Sequence, residues 1–135
     1  MKFKNILLVE DNEIDAYITK FILQKSNIVE NIIHKINGVE AVKYLTEEAL
    51  TFPEIILLDI RMPEMDGFGF LDQMEMMNHP EKNICRVFML SSSNDTNDIE
   101  KAKTYINVVD YMFKPFNPNY IQLLGWVFLS ERRTH

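Results

Sequence analysis

The sequence predicts one α/β domain built from five alternating strand and helix units, a (βα)5 fold with a parallel sheet. Short apolar runs alternate with segments of helical periodicity along all 135 residues, and this alternation is typical of strands joined by crossover helices. Three of the runs are continuously apolar, as strands covered on both faces should be. The length is that of one ordinary domain, so we expect residues 1–135 to form a single unit with no second domain.

The apolar runs give the predicted strands, which are residues 6–9, 32–36, 55–58, 87–90 and 108–113. Asn12 is placed to cap the first helix, whose apolar residues recur at helical spacing and are Ile14, Tyr17, Ile18, Phe21 and Ile22. The second helix opens at residues 37–38, with Glu40 at the capping-box position three residues after Asn37. Its inner face is predicted to consist of Val39, Val42 and Leu45.

The remaining three helices follow from the same spacing rules. The third should begin near Gly67 and bury Leu71 and Met74, and the fourth is short, with Ile99 and Ala102 after a polar stretch. The fifth should run from about residue 118 to 132, with its apolar stripe formed by Tyr120, Ile121, Leu124, Val127 and Phe128 and with Arg132 and Arg133 at the end that favours cations.

Composition narrows the possible classes of function. Twenty acidic and 14 basic side chains give a formal charge of -6, which disfavours nucleic acid and anionic membrane surfaces as direct partners. The apolar runs are too short for membrane insertion and the first residues lack a signal-peptide core, so we expect a cytoplasmic protein. Cys85 is the single cysteine and lies in an apolar run, so we expect a buried thiol and no disulfide.

Polar side chains follow four of the predicted strands at the point where each ends. Glu10 and Asp11 follow the first strand, Asp59 the third, Ser91 the fourth and Lys114 the fifth. Ligands of open α/β sheets bind at these carboxyl ends. The repulsion between three converging carboxylates is best relieved by a hard divalent cation, for which Mg2+ is the natural choice, or by protonation of one of them. A lysine stabilises phosphoryl oxygens, and a carboxylate can form an aspartyl phosphate.

Four stretches of the chain carry a family resemblance: ILLVEDNEIDAYI at residues 6–18, IILLDIRMPEMDGFGFL at 55–71, VFMLSSS at 87–93 and YMFKPF at 111–116. In this order and spacing they resemble the signatures of response-regulator receiver domains, and the resemblance covers essentially the whole chain. It implies a doubly wound, flavodoxin-like sandwich with strand order 2-1-3-4-5.

The resemblance also implies roles for individual residues. Asp59 is similar to the phosphoacceptor of the family. Asp11 and the backbone carbonyl of Arg61 resemble its direct Mg2+ ligands, and Glu10 resembles the other residue of its acidic pocket. Ser91 resembles the hydroxyl residue that binds a phosphoryl oxygen, Lys114 the family's lysine, and Tyr111 its aromatic switch. A cis Lys114-Pro115 peptide is implied as well. The chain departs from the usual pattern at Glu10, where Asp is commoner, at Ser91, where Thr is commoner, and at Arg61, where the family tunes phosphorylation and hydrolysis rates.

We therefore expect a two-component phospho-switch, a protein that takes a phosphoryl group on Asp59 from a sensor histidine kinase or phosphotransfer protein with Mg2+. Its fourth helix, fifth strand and fifth helix would change to control an unidentified output protein, as a monomer or a phosphorylation-dependent dimer. We expect that it is not an enzyme, apart from catalysing its own phosphorylation from phosphohistidine and its own dephosphorylation.

Two alternatives remain open from the sequence. A haloacid-dehalogenase-like phosphohydrolase uses similar residue types, but it needs a second aspartate where Arg61 stands. A receiver that is never phosphorylated could act as an interaction module only. Tyr111 could also be an ordinary packed strand residue.

Overall fold

The computed structural model of the protein describes residues 2–133, with side chains described through residue 127. Five parallel strands form one sheet in the order β2-β1-β3-β4-β5. The strands are β1 Phe3–Val9, β2 Val29–Lys35, β3 Ile55–Leu58, β4 Arg86–Ser91 and β5 Val108–Phe113. The predicted doubly wound fold and its strand order are confirmed.

Five α-helices connect these strands and continue the last one. They are α1 Glu13–Ser26, α2 Gly38–Lys43, α3 Gly67–Met76, α4 Thr96–Ala102 and α5 Pro118–Arg133, and α2 runs on into a π-helical turn at Tyr44–Glu48. The Asn12 side chain accepts a hydrogen bond from the Asp15 amide at 2.9 Å, and Asn37 accepts one from the Glu40 amide at 2.9 Å. Both predicted N-caps are therefore confirmed.

The helices cover the two faces of the sheet and create two apolar layers. On one face, α2, α3 and α4 pack on strand residues that include Leu7, Ile56 and Val87. On the other, α1 and α5 pack on the alternate residues of the same strands, such as Ile6, Ile55 and Phe88. Because β1, β3 and β4 are buried on both faces, their carboxyl ends are held rigidly along one edge of the sheet.

The apolar stripe predicted for α1 is wrong in part. Ile14, Tyr17 and Phe21 are 72%, 66% and 48% exposed, whereas the buried residues of α1 are Ala16, Thr19 and Leu23. Residues 16, 19 and 23 have helical spacing too, so they form the face of α1 that is buried against the sheet. The spacing correctly predicts a helix, but the larger apolar residues lie on the exposed face of that helix.

Three smaller corrections concern boundaries and single positions. The second strand begins at Val29, because β2 is an edge strand that tolerates polar residues on its open side, and Ile36 lies outside it, 56% exposed. Val39 is 41% exposed, since Ala41 and Leu45 form the buried side of α2 and its continuation. Phe128, Arg132 and Arg133 lie outside the described side chains.

Other predictions of burial are confirmed. Leu71 and Met74 of α3 are buried, Ala102 of α4 is buried, and the Cys85 thiol is fully buried. Within residues 2–133, none of the helices has both the length and the apolar character needed to cross a lipid bilayer.

Candidate functional site

An acidic pocket lies where β1 and β3 end side by side. One ligand oxygen from each of Glu10, Asp11 and Asp59 lies within 4.8 Å of the other two. The Asp59 amide donates to the Val9 carbonyl at 3.1 Å, so the backbone pairing of the sheet continues up to the pocket. Glu10 and Asp59 are only 1% and 5% exposed, whereas Asp11 is exposed. The pocket is thus open to solvent on the Asp11 side.

Lys114 brings a positive charge from the end of β5 into this pocket. Its Nζ lies 2.8 Å from Glu10 Oε1, 2.9 Å from Asp59 Oδ2 and 3.0 Å from Asp15 Oδ2. The Lys114-Pro115 peptide bond is cis, as the resemblance implied. One ammonium group therefore contacts three carboxylates, two of them buried.

Asp15 is a member of this cluster that the sequence analysis missed. It lies in the first turn of α1, three residues after the Asn12 cap, and it is part-buried. An acid in the first turn of a helix is usually explained by the helix dipole, so its position alone did not indicate a site. The carboxyl end of β1 and the start of α1 are adjacent, which is why Asp15 reaches Lys114.

The charges in the pocket shift the proton affinities of its members. Burial raises the pKa of Glu10 from its ordinary 4.5 to about 7; the nearby Asp59 also raises it, and the Lys114 hydrogen bond partly opposes the increase. Burial lowers the pKa of Lys114, but the hydrogen bonds to Glu10, Asp59 and Asp15 outweigh this effect and raise it overall. Lys114 stays charged at neutral pH, and Glu10 titrates near it.

The two oxygens of Asp59 have different partners. Oδ1 accepts a hydrogen bond from the Ile60 amide at 2.7 Å, and Oδ2 accepts one from Lys114. Gly67, the first residue of α3, lies against the backbone of Asp59. A Cβ atom at Gly67 would be 2.4 Å from the Asp59 carbonyl oxygen. Only glycine allows α3 to begin so close to Asp59, and the loop between them is consequently tightly constrained.

Ser91 and Tyr111 both form a hydrogen bond with Ser93. The Ser91 hydroxyl is buried at the end of β4 and accepts a hydrogen bond from the Ser93 amide at 3.2 Å. The Tyr111 hydroxyl donates to the Ser93 carbonyl at 2.9 Å. Among the residues whose side chains are described, neither hydroxyl forms a hydrogen bond with Asp59. The structure therefore places both beside the turn that follows β4.

The Arg61 side chain binds a residue that the sequence analysis did not identify. Its guanidinium donates to Asp98 Oδ2 in α4 at 2.7 Å. Asp98 was assigned only to a polar stretch, and no local spacing links it to Arg61, which is 37 residues earlier. His34 is a further neighbour of the site: its Nε2 lies 2.7 Å from the Glu10 carbonyl oxygen, so Nε2 must carry a hydrogen to donate there.

The donor set of the pocket fits a divalent cation. Three carboxylates converge there, and hard ions such as Mg2+ prefer a few such oxygens together with water and phosphate. The carboxylates also exceed the single positive charge that Lys114 supplies, so an added cation would relieve their repulsion. Glu10, Asp11 and Asp59 are the residues that could hold the ion.

This fold and this strand-end pocket define a receiver domain of two-component signalling. The family model "Response regulator receiver domain" matches residues 6–124, and the chain belongs to that family. The solved structure of a two-component response regulator from Cytophaga hutchinsonii is 32% identical, has a TM-score of 0.86, and is matched over 95% of this chain and 98% of that one.

Three further relatives show the range of proteins that contain this domain. Response regulator Rcp1 from Synechocystis is 31% identical over 77% of this chain and 73% of its own length, and an Mn(2+)-bound form has been solved, with a TM-score of 0.72 over 92% of this chain and 88% of that one. Hybrid signal transduction histidine kinase B from Dictyostelium discoideum is 32% identical over 84% of this chain. The chain spans only 6% of that kinase and 44% of the PhoP regulator of Bacillus subtilis.

Proposed function

We propose that this receiver domain is a Mg2+-dependent switch that accepts a phosphoryl group on Asp59. The observation that carries the proposal is the position of Lys114 Nζ, 2.9 Å from Asp59 Oδ2 and 2.8 Å from Glu10 Oε1. A fixed cation at the reacting carboxylate, within an acidic pocket open on the Asp11 side, is the arrangement that phosphoryl transfer requires.

In the proposed reaction an Asp59 carboxylate oxygen attacks the phosphorus of a phosphohistidine. A P–O bond to Asp59 forms as the P–N bond to the donor imidazole breaks, and the imidazole keeps the electron pair of that bond. Oδ1, held by the Ile60 amide, and Oδ2, held by Lys114, are fixed in orientation before the reaction. Lys114 then moves its hydrogen bonds from the carboxylates to the phosphoryl oxygens.

Glu10, Asp11 and Asp59, with the Arg61 carbonyl, would hold Mg2+. When bound, the ion would supply charge neutralisation for the phosphoryl oxygens. The solved Mn(2+)-bound form of the relative Rcp1 supports the binding of a divalent ion by this chain. The choice of Mg2+ for this chain is part of the proposal.

The proposed donor is a sensor histidine kinase or a phosphotransfer protein. Relatives named as histidine kinases, from Dictyostelium discoideum and Helicobacter pylori, support this class of partner. The output would be a change in α4, β5 and α5 as Ser91 and Tyr111 respond to the phosphoryl group, and it would act on a second protein in the cytoplasm. The catalytic power of the domain would be limited to its own phosphorylation and dephosphorylation.

The phosphohydrolase alternative finds no support in the pocket. Such an enzyme needs an acid two residues after its nucleophile, and Arg61 stands there with its guanidinium bound to Asp98. The interaction-module alternative predicts that the pocket is never phosphorylated. Phosphorylation in vitro separates all three.

The test is incubation with acetyl phosphate and Mg2+, followed by phosphate-affinity gel electrophoresis. We expect a mobility shift in the wild-type protein, none in Asp59→Asn or without Mg2+, and an unchanged shift in Glu100→Gln, which removes an exposed acid of α4. An equal shift in Asp59→Asn, or none in the wild-type protein, would refute the proposal. Repeated turnover of a simple phosphate ester would indicate the hydrolase.

A further inference from the structure

Asp98 is a buried charged residue that the proposed phosphoryl transfer does not use. It lies in α4 and is 9% exposed. Its Oδ2 atom accepts two hydrogen bonds, from the Arg61 guanidinium at 2.7 Å and from the Ser93 hydroxyl at 2.8 Å. One carboxylate oxygen therefore joins α4 both to the loop after Asp59 and to the turn after β4.

Ser93 extends this network to the two residues that the resemblance expects to respond to phosphorylation. Its amide donates to the Ser91 hydroxyl, and its carbonyl accepts from the Tyr111 hydroxyl. Its own hydroxyl is the group that binds Asp98. Ser93 therefore bonds to Asp98, Ser91 and Tyr111 at the same time.

Arg61 connects the same carboxylate to the phosphorylation site. It follows Asp59 by two residues, a separation of at most about 7 Å along the chain. Its side chain is 64% exposed, so it is free to reorient. Among the residues with described side chains, Asp98 is the carboxylate that it binds. A phosphoryl group on Asp59 would carry more negative charge than the Asp98 carboxylate. The planar guanidinium of Arg61 could bind two of its oxygens at once.

We infer that Asp98 is a positioning residue of the phosphorylation site. It holds Arg61 away from Asp59 and holds the turn at residues 91–93 in its unphosphorylated arrangement, and phosphorylation of Asp59 draws Arg61 off Asp98. The inference rests on the proposed function. Loss of Arg61 removes the bond that ties α4 to the loop after Asp59. The Ser93 hydroxyl is then the side-chain donor left to Asp98 among the described residues, and α4 can move together with the turn so that Ser91 reaches the phosphoryl oxygens.

The first experiment uses the unphosphorylated protein and measures hydrogen exchange of the amides at residues 93–98. A hydrogen bond to a charged group is strong enough that its loss should accelerate exchange ~10-fold. We expect this acceleration in Asp98→Asn and a smaller one in Arg61→Gln, with the double variant exchanging no faster than Asp98→Asn alone. Glu100→Gln is the charge-matched control on the same helix, and Asp98→Glu should restore part of the protection. The inference would be overturned if these amides exchanged at the wild-type rate in Asp98→Asn. It would also be overturned if the acceleration in the double variant equalled the product of the two single accelerations.

The second experiment measures the rate of phosphorylation by acetyl phosphate, which a purely structural role for Asp98 would not increase. We expect Asp98→Asn to be phosphorylated severalfold faster than the wild-type protein, because Arg61 is released toward Asp59, and we expect Arg61→Gln to cancel that gain. Phosphorylation of the wild-type protein should also accelerate exchange at residues 93–98. Equal rates in Asp98→Asn and the wild-type protein, or unchanged exchange after phosphorylation, would overturn the inference.

These two measurements separate this inference from the proposed function. If no variant with Asp59 intact is phosphorylated, the proposed function fails, and the competition for Arg61 fails with it. The exchange experiment does not depend on phosphorylation, so it still decides whether Asp98 positions Arg61 and the turn. Ser93→Ala, which removes only the hydroxyl, replaces Asp98→Asn if that variant does not fold, and it should accelerate exchange of the same amides.

Discussion

Replacing Lys114 with methionine removes the ammonium group that three carboxylates of the pocket contact. Methionine keeps most of the length and the apolar stem of lysine. The lost ammonium contacts Glu10, Asp59 and Asp15 at 2.8 to 3.0 Å, and the Lys114 side chain is only 11% exposed. Glu10 and Asp59 would remain buried beside each other without a counter-charge.

The size of the effect depends on pH. Breaking a buried ion pair by removing one partner typically costs about 3–5 kcal/mol of folding free energy. Glu10 can reduce this cost by taking up a proton. Because its pKa is raised from 4.5 to about 7 in the folded protein, its contribution to stability is greatest below pH 4.5 and is lost as the pH rises to about 7. In Lys114→Met the pKa of Glu10 rises further, so the loss continues above pH 7.

We therefore expect Lys114→Met to be destabilised by about 3–5 kcal/mol near pH 8.5 and by clearly less near pH 6. Urea unfolding at the two pH values measures the difference. The control is Lys103→Met, which breaks an exposed pair with Glu100 and should change stability by less than about 1 kcal/mol at either pH.

Mg2+ gives a second check on the same reasoning. Lys114 competes with a cation for Glu10 and Asp59, so Lys114→Met should bind Mg2+ more tightly than the wild-type protein. At about 100 times its Kd the ion should restore about 2.7 kcal/mol. A loss that is equal at both pH values, or weaker Mg2+ binding by Lys114→Met, would refute the electrostatic explanation.

Two other predictions test parts of the site. Asp15→Asn should raise the rate of phosphorylation by acetyl phosphate about fivefold at low salt, because removing one negative charge near Lys114 changes the electrostatic energy of the pocket by about 1 kcal/mol. The control Glu13→Gln removes an exposed acid of the same helical turn and should change the rate less. A lower rate in Asp15→Asn than in the wild-type protein would contradict the prediction. Gly67→Ala should destabilise the fold by about 1–3 kcal/mol in thermal unfolding, because its Cβ meets the Asp59 backbone at 2.4 Å. In the control Gly125→Ala the added Cβ has no atom of the described residues within 4 Å beyond its chain neighbours and its own helix backbone, so this change should stabilise α5 by about 0.5–1 kcal/mol. Destabilisation of equal size in both variants would show that the close approach is unimportant.

The fold was predictable because its signals are local. Apolar runs marked the strands, and Asn12 and Asn37 marked helix starts that the structure confirms. The outer face of α1 was not predictable in the same way. Its exposed Ile14, Tyr17 and Phe21 and its buried Ala16, Thr19 and Leu23 both have helical spacing, and only tertiary packing decides which set faces the sheet.

The site residues that directly follow a strand could be predicted from the sequence. Those that contact the site from within a helix could not. Glu10, Asp11, Asp59 and Lys114 each follow an apolar strand, and parallel strands bring those ends together. Asp15 and Asp98 lie inside helices, where an acid is ordinarily a surface residue. Their partners are 99 and 37 residues away in the chain, and no spacing rule relates such positions.

The contacts of Lys114 connect the beginning of the chain to its last strand. The bonds to Asp15 and Asp59 span 99 and 55 residues, while β1 and β3, which carry the acids, pair directly with each other. The N-terminal half can therefore assemble the acidic pocket before the residue that neutralises it is in place. Local opening of β5 would take Lys114 away from the carboxylates again. The stability of β5 is therefore coupled to the charge of the acidic pocket, which β1 and β3 form. A cation held by Glu10, Asp11 and Asp59 would weaken this coupling and let β5 open at a lower free-energy cost than in the metal-free domain.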